Sequence, residues 1–287
     1  MRLNLTVEDM FLELDPCAGG SVSALRQRGL DILRPAPERI GPAFDPLQYS
    51  SFAMVPFAGR IHHGRFELAG RAIDLPKNFP PEPHTIHGHG WHVPWKTDKI
   101  DKSSVSLIYR HSADAWPWDY VAQQIFELRP DGLVVTLLLT NKGNSEMPAG
   151  LGWHPYFSRQ GAKLYLPTTH QWTPDETTGQ NTPASMVADD DLTTGRLIDE
   201  LNLDTTFSVS ADTVRMVWPT HSIKMSADPV FSHATVFVPQ GANYFCVEPI
   251  SHAPNAVNSS LPAELTGYRT LAPGETLSGS IALEVEH

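Results

Sequence analysis

Only two cysteines, Cys17 and Cys246, occur in 287 residues, too few for a disulfide framework or a thiolate zinc site in a chain of this size. Both are expected to be reduced and structural. No apolar run approaches the ~20 residues that span a bilayer. The opening segment, Met1-Arg2-Leu3-Asn4-Leu5-Thr6-Val7-Glu8-Asp9, carries carboxylates where a signal peptide has its apolar stretch, so the protein is expected in the cytoplasm. Basic side chains are also scarce: 21 Lys and Arg against 32 Asp and Glu leave a formal charge of -11. That balance opposes broad attachment to phosphate backbones or anionic lipid, and neither nucleic acid nor a membrane is an expected partner. Amphipathic periods long enough for helices are few, whereas 25 prolines and 20 glycines punctuate the chain closely. Many short strands follow from that punctuation. With 41% hydrophobic and 18% charged residues, the chain can bury a large core, and disorder is excluded.

The clearest strand signal is Gln123 to Leu128, then Arg129-Pro130-Asp131-Gly132, then Leu133 to Thr140. Two β-rich runs around a Pro-Asp-Gly turn predict a hairpin. The second run is apolar at both parities, the pattern of a strand buried between layers, so a sandwich or stacked-sheet core is expected. Val105–Tyr109, Thr213–Trp218, Ser222–Ser226, Ala234–Val238, Tyr244–Val247 and Ser280–Val285 read as further strands. The stretch Leu166 to Leu203, rich in Thr, Asp, Gly and Pro, reads as a long excursion with little regular structure, of the kind that often helps line a site. No internal repeat or low-complexity linker divides the chain. A single all-β domain over residues 1–287 is the expected organisation.

Histidine is unevenly spread. Four of the 13 fall in His84-Thr85-Ile86-His87-Gly88-His89-Gly90-Trp91-His92. If His87 and His89 lay on a strand, both imidazoles would share a face, as metal ligands require. The carboxylate that would complete such a site does not follow, so metal ligation is disfavoured. His84, His89 and His92 suit ordinary hydrogen bonding to loop backbone or simple exposure. His87 differs, since Gly88 on its C-terminal side permits close approach of a substrate or another strand, and Trp91 and Trp95 offer a flat apolar wall. His154, in Gly152-Trp153-His154-Pro155-Tyr156-Phe157, is either a core histidine fixed by aromatic packing or a functional one. Glu248 ends an apolar run, Tyr244-Phe245-Cys246-Val247-Glu248-Pro249. Burial there would raise its pKa and suit it to act as a base near neutral pH. The competing reading is a glutamate that bonds a neighbouring loop. On spacing alone, Arg60 and Asp204 pass for surface charges.

Taken in order, Pro56-Phe57-Ala58-Gly59-Arg60-Ile61 with Gly64-Arg65-Phe66, Leu75-Pro76-Lys77-Asn78, Ile86-His87-Gly88-His89-Gly90-Trp91, His154-Pro155-Tyr156-Phe157 and Val247-Glu248-Pro249 through Asn255-Ala256 resemble the aldose 1-epimerase (galactose mutarotase) family. With Gly19-Gly20-Ser21 near the start and Leu271-Ala272-Pro273-Gly274-Glu275 near the close, the likeness covers nearly the whole chain. It implies an antiparallel β-sandwich of large sheets, sometimes called a supersandwich. It also implies an isomerase that interconverts the α and β anomers of a free aldose such as galactose, with no metal and no organic cofactor. By the same resemblance Glu248 is the general base and His154 the general acid, while His87, Arg60 and Asp204 hold the sugar. Gly59 stands where the family often has asparagine.

The implied chemistry suits these residue types. Glu248 as carboxylate would take the anomeric hydroxyl proton and His154 as imidazolium would protonate the ring oxygen. His87 and Arg60 would donate to oxygens that gain charge, Asp204 would accept from hydroxyls, and Trp91 or Trp95 would lie against the C–H face of the sugar. The expected partner is a small monosaccharide, and the protein a monomer or a homodimer. Glycoside hydrolysis would need two facing carboxylates, of which only Glu248 is well placed. A sugar-phosphate mutarotase would need a cluster of cations, and a non-catalytic carbohydrate-binding protein on the same scaffold would be expected to lack the acid or the base.

Overall fold

The computed structural model describes residues 2–37, 45–175, 178–186, 191–210 and 213–287. Within them the chain forms two large antiparallel sheets. The eleven-stranded sheet runs Leu3–Val7, Met10–Asp15, Ser21–Gln27, Ser51–Met54, Gly152–Ser158, Tyr244–Ile250, His233–Val238, Leu203–Val209, Thr168–Pro174 and Asn181–Ala184, with Leu30–Asp31 paired to Ser21–Gln27. The nine-stranded sheet runs Lys96–Ile100, Ser104–His111, Tyr120–Arg129, Gly132–Asn141, Thr276–Glu286, Ser222–Ala227, Thr213–Val217, Lys163–Tyr165 and Arg196–Leu197. This is the antiparallel all-β architecture expected. The longest described α-helix is four residues, Ala263–Thr266, and among the described residues no helix is long and apolar enough to cross a membrane.

The expected hairpin is present as Tyr120–Arg129 and Gly132–Asn141, turning at Pro130-Asp131. Its second strand is not covered on both faces, however. Leu133, Val135, Leu137 and Leu139 are buried, while Val134, Thr136, Leu138 and Thr140 are half-exposed. Alternation of burial there comes from tertiary cover, which a run apolar at both parities does not reveal. The strands sealed on both faces lie in the other sheet: Ser51–Met54, Gly152–Phe157 and Phe245–Ile250 are continuously buried.

Their two faces go to different places. Phe245 and Val247, like Ala53, Trp153 and Phe157, join the main apolar cluster that draws on both sheets. Cys246 and Ile250 join Phe52, Met54 and Tyr156 in a second cluster with Ala58, Ile86 and Trp91. That cluster is roofed by the chain between Val55 and Trp95, which makes only short pairings of its own, Arg60–Ile61 with Thr85–Ile86 and Arg65–Leu68 with Arg71–Asp74. Gly88 fixes the roof to the sheet. It pairs with Val55, and a Cβ on it would lie 2.2 Å from the Val55 carbonyl oxygen, so no other residue fits without displacement.

The segment from Leu166 to Leu203 is more ordered than its composition predicts. Thr168–Pro174 pairs with Leu203–Val209, and Asn181–Ala184 extends the sheet edge, while residues 176, 177 and 187–190 lie outside the described set. Pairing to an existing edge supplies the backbone hydrogen bonds that these polar residues do not predict on their own.

Candidate active site

Antiparallel register places Glu248 beside His154. Gly152 faces Ile250 and Tyr156 faces Cys246, so His154 falls opposite Glu248 midway between them. On its other side His154 pairs with Phe52, whose ring centroid is 4.5 Å from the imidazole. The His154 Nε2 to Glu248 Oε1 distance is 3.2 Å, and the two side chains are only 8% and 5% exposed. Both sit on the face of the sheet that the Val55–Trp95 segment covers.

Burial sets the protonation of this pair. It lifts the Glu248 carboxyl well above its usual range, the negative charge of Asp204 adds to that, and Arg60 opposes it. His154 is pushed down to about 3, chiefly by burial, with the Arg34 charge acting in the same direction and its own backbone acting against. Both shifts favour the neutral forms, whereas the reaction expected from the sequence uses the carboxylate and the imidazolium. Burial therefore favours a shared proton on the carboxyl side of the pair, because two separated charges are costly where neither is hydrated.

His87 reaches the pair from the roof. Its ring centroid is 5.5 Å from that of His154, nearly perpendicular to it. The Arg60–Ile86 pairing positions it, the His87 N–H donates to the Gly59 carbonyl at 2.9 Å, and the Gly59 N–H donates to His87 Nδ1 at 3.2 Å. Since Nδ1 accepts, the proton of the neutral ring is on Nε2 and available for donation. His87 has φ +57° and Gly59 φ +64°. Gly59 thus occupies the left-handed region that glycine and asparagine reach most easily, which accounts for the glycine at a position where asparagine is common. Asn78 clamps the same segment, accepting from the Ile86 N–H at 2.9 Å and donating to the Ile86 and Gly88 carbonyls at 2.7 and 3.2 Å.

Arg60 and Asp204 meet at 3.0 Å, and the Arg60 Nε lies 3.4 Å from Glu82. Arg60 and Asp204 are about half-exposed and line a cleft of about 510 Å³ with Glu82, Thr206, Trp172 and Asn255. The pair lies further across the sheet: Thr206 faces Thr235, and Thr235 faces Glu248. Asn255 secures the cleft wall. Its N–H donates to the Arg60 carbonyl, its side-chain oxygen accepts from the His62 N–H, and its amide donates to the Gly179 carbonyl. A separate apolar pocket of about 280 Å³, lined by Val209, Val214, Met225, Phe231 and His233, includes none of the sequence-predicted site residues.

The five polar residues singled out from sequence are therefore drawn toward one region. Trp91 is not placed as expected. It has no exposed surface, stacks on Phe52 at 5.2 Å and touches His87 edge-on at 5.4 Å, so it packs the roof against the sheet instead of presenting a face to sugar. Trp95 is likewise buried and bonded to the Gly90 carbonyl. The His87/His89 pair does not share a face either. Positive φ at His87 and Gly88 turns the chain, and His89 stacks on His111 at 4.5 Å with its Nδ1 3.0 Å from the Tyr120 hydroxyl. His89, His111 and Asp114 bring ligand atoms within 4.8 Å of one another. With the two rings only 14° from parallel, however, their in-plane lone pairs do not converge on one point. Sequence reasoning missed Glu82 and Phe52. Glu82 lies between two prolines and carries no signal, whereas Phe52 is identifiable only once its strand is paired with His154. Cys246, two residues before Glu248, shares the glutamate's face by strand alternation, a signal the sequence does contain.

The family model for aldose 1-epimerase matches residues 16–284. The chain belongs to the aldose 1-epimerase family. Among members of this family, the uncharacterised Escherichia coli K12 protein YphB is 30% identical over 284 residues, 93% of each chain. A crystal structure from Escherichia coli K12 superposes with a TM-score of 0.89 at 27% identity, covering 100% of this chain and 99% of that one. A galactose mutarotase-like protein of Clostridium acetobutylicum gives 0.90 at 19% identity, covering 99% and 94%, and shows the shared fold. As an epimerase-family member the chain is expected to take a sugar as its small-molecule partner.

Proposed function

We propose that this protein is an aldose 1-epimerase acting on a free aldose of the galactose type in the cytoplasm, with Glu248 and His154 as its proton-transfer pair. The observation that carries the proposal is the buried 3.2 Å contact between them. One exchangeable proton held between a carboxyl and an imidazole is the inventory that ring opening requires.

In the reacting state that proton sits on His154, leaving Glu248 as carboxylate. Glu248 takes the proton of the anomeric hydroxyl while His154 delivers its own to the ring oxygen. The C1–O5 bond breaks and the C1–O1 double bond forms, giving the open-chain aldehyde. The pair is then Glu248–COOH and neutral His154, the distribution that burial favours, so opening runs toward the pair's preferred state. Rotation about C1–C2 presents the other carbonyl face, and closure returns both protons. Each transfer contributes roughly 10²–10⁴-fold. His87 Nε2–H and the Arg60 fork donate to sugar oxygens, and Asp204 accepts from hydroxyls. Arg60 is already shared between Glu82 and Asp204, which argues for an uncharged sugar over a sugar phosphate.

The test is polarimetry of freshly dissolved α-D-galactose in a weakly catalysing buffer, with arabinose, fucose and glucose alongside. Wild type should hasten the approach to final rotation, and Glu248→Gln and His154→Ala should lose most of that. Inactivity of wild type on every aldose would overturn the proposal in favour of a binding protein.

A further inference from the structure

Cys246 stands in the site without a part in the reaction. It is fully buried and free, and lies two residues before Glu248 on the same strand face. Its sulfur, one His154 ring nitrogen and one Glu248 oxygen all lie within 4.8 Å of one another. The three residues are 0%, 6% and 4% exposed, in a cluster otherwise formed by apolar and aromatic side chains.

We infer that His154, Cys246 and Glu248 form an inhibitory site for a thiophilic divalent cation of the zinc class. Nitrogen and oxygen ligands at about 2.0–2.1 Å and tetrahedral angles are separated by about 3.3 Å, and the His154–Glu248 distance is 3.2 Å. The pair is thus already spaced as one edge of a tetrahedron. A sulfur ligand selects for zinc over magnesium or calcium, which prefer oxygen alone. The fourth position is left for water or a sugar oxygen. Zinc entering here displaces the Glu248 proton and the Cys246 thiol proton into solvent, and His154 ligates as neutral imidazole. An ion between Glu248 and His154 occupies both proton-transfer groups at once, so binding and epimerisation exclude each other.

Of the surrounding charges, Asp204 favours a divalent guest and Arg34, which acts on both Cys246 and His154, opposes it. Asp204 acts electrostatically on Glu248 and Arg60 opposes it, while Arg60 is itself held by Glu82 and Asp204. Support from beneath is rigid: Tyr156 stacks on His154 at 4.8 Å and Arg34 lies 4.1 Å above the Tyr156 ring.

Zinc titration by calorimetry on the full chain tests binding without reference to activity, and polarimetry with added Zn²⁺ tests its consequence. The expected result is one site in wild type, at least tenfold weaker in Cys246→Ser, with proton release that is larger in wild type. Co²⁺ in place of Zn²⁺ should give a thiolate charge-transfer band in wild type that Cys246→Ser lacks. His111→Ala, which removes the stacked cluster near His89, should leave the affinity unchanged. Anomalous diffraction from Zn²⁺-soaked wild-type crystals should place the ion against Cys246, a readout that does not depend on any variant folding. Equal zinc affinity in wild type and a folded Cys246→Ser, or an anomalous peak only at His89–His111–Asp114, would overturn the inference. Zinc held at Cys246 by a chain inactive on every aldose would retain the metal site and remove the epimerase reading instead.

Discussion

The Gly132–Asn141 and Tyr244–Ile250 strands each lie in the interior of a large sheet, yet they treat polar residues differently. On the first, Thr136 and Thr140 occupy the half-exposed face and bond the hydroxyls of Ser280 and Thr276 at 2.9 and 2.8 Å. Polarity costs little where water is at hand. On the second, both faces are sealed, one by the main core and one by the Val55–Trp95 roof, and Glu248 is 4% exposed. The same burial that would be a defect on an ordinary strand displaces the glutamate's proton affinity toward the range useful for catalysis. Proton chemistry resides where the second face is covered, and sugar-holding charges where it opens, at the half-exposed Arg60 and Asp204.

Substitutions on the two strands should separate most sharply in kcat. Glu248→Gln keeps the shape and removes the exchangeable carboxyl proton, and should lower kcat by about 10²–10⁴-fold. Thr136→Val, on the other strand, should leave kcat unchanged. Comparable losses from both would mean that burial at Glu248 has no special role. A smaller effect is expected at the open end of the site. Asp204→Asn should raise KM about tenfold with a lesser change in kcat, because its contacts to hydroxyls are made alike in ground and transition states, whereas Arg60→Ala, which removes a donor to an oxygen that gains charge, should lower kcat as well. Their mutual ion pair is nearly half-exposed, so stability should change by no more than about 1 kcal/mol, read as a shift in the denaturant midpoint.

The pH profile refines the same contrast. Activity requires one proton on the pair, so kcat/KM should fall in acid when a second proton binds and in alkali when the only one leaves. With His154 lowered to about 3 and Glu248 raised well above its ordinary value, the plateau should be broader than unperturbed side chains would give. Asp204→Asn removes a charge that raises Glu248, so the alkaline limb should move to lower pH. The move should be only part of the whole displacement, since desolvation is the larger cause. An unmoved limb would detach Asp204 from the pair.

Much of this was legible in the sequence, for identifiable reasons. The hairpin at Pro130-Asp131 and most strands of the nine-stranded sheet follow from local alternation and turn chemistry. Glu248, His154 and His87 stand out because each sits beside glycine or proline, or ends an apolar run, whereas Arg60 and Asp204 are marked only by the family resemblance. What the sequence does not show is cover. Nothing local says that Val55–Trp95 folds over one sheet face, and that contact alone buries Trp91, seals Glu248 and directs His87 and His89 apart. Edge pairing is similarly non-local, which is why Thr168–Pro174 and Asn181–Ala184 read as loop. Glu82 becomes visible only through its contact with Arg60.

The smallest expected effect concerns stability and sums over histidines, most of them in the eleven-stranded sheet, the Val55–Trp95 roof and the loop after Tyr244–Ile250. Burial lowers His154 to about 3 and His89 and His233 to about 4, and it also lowers His87 and His252. Each folded pKa lies below the unfolded value near 6.5, so the unfolded chain binds more protons once pH falls beneath that value. Stability from these groups is therefore complete above about pH 6.5 and is lost progressively as pH falls, down to about 4 for His89 and His233 and about 3 for His154. Glu248 acts in the opposite sense, because its raised pKa makes the folded form the better proton binder above its unfolded value of 4.5. With His84, His92 and His221 lowered as well, eight histidines oppose one glutamate and the net sign goes with the histidines. The melting temperature should be several degrees lower at pH 5 than at pH 7, and His233→Gln, at a strand position that faces Ile250 and neither member of the reacting pair, should flatten that slope while leaving epimerase activity in place. A melting temperature that rises on acidification would show that these imidazoles gain their protons without leaving the folded state.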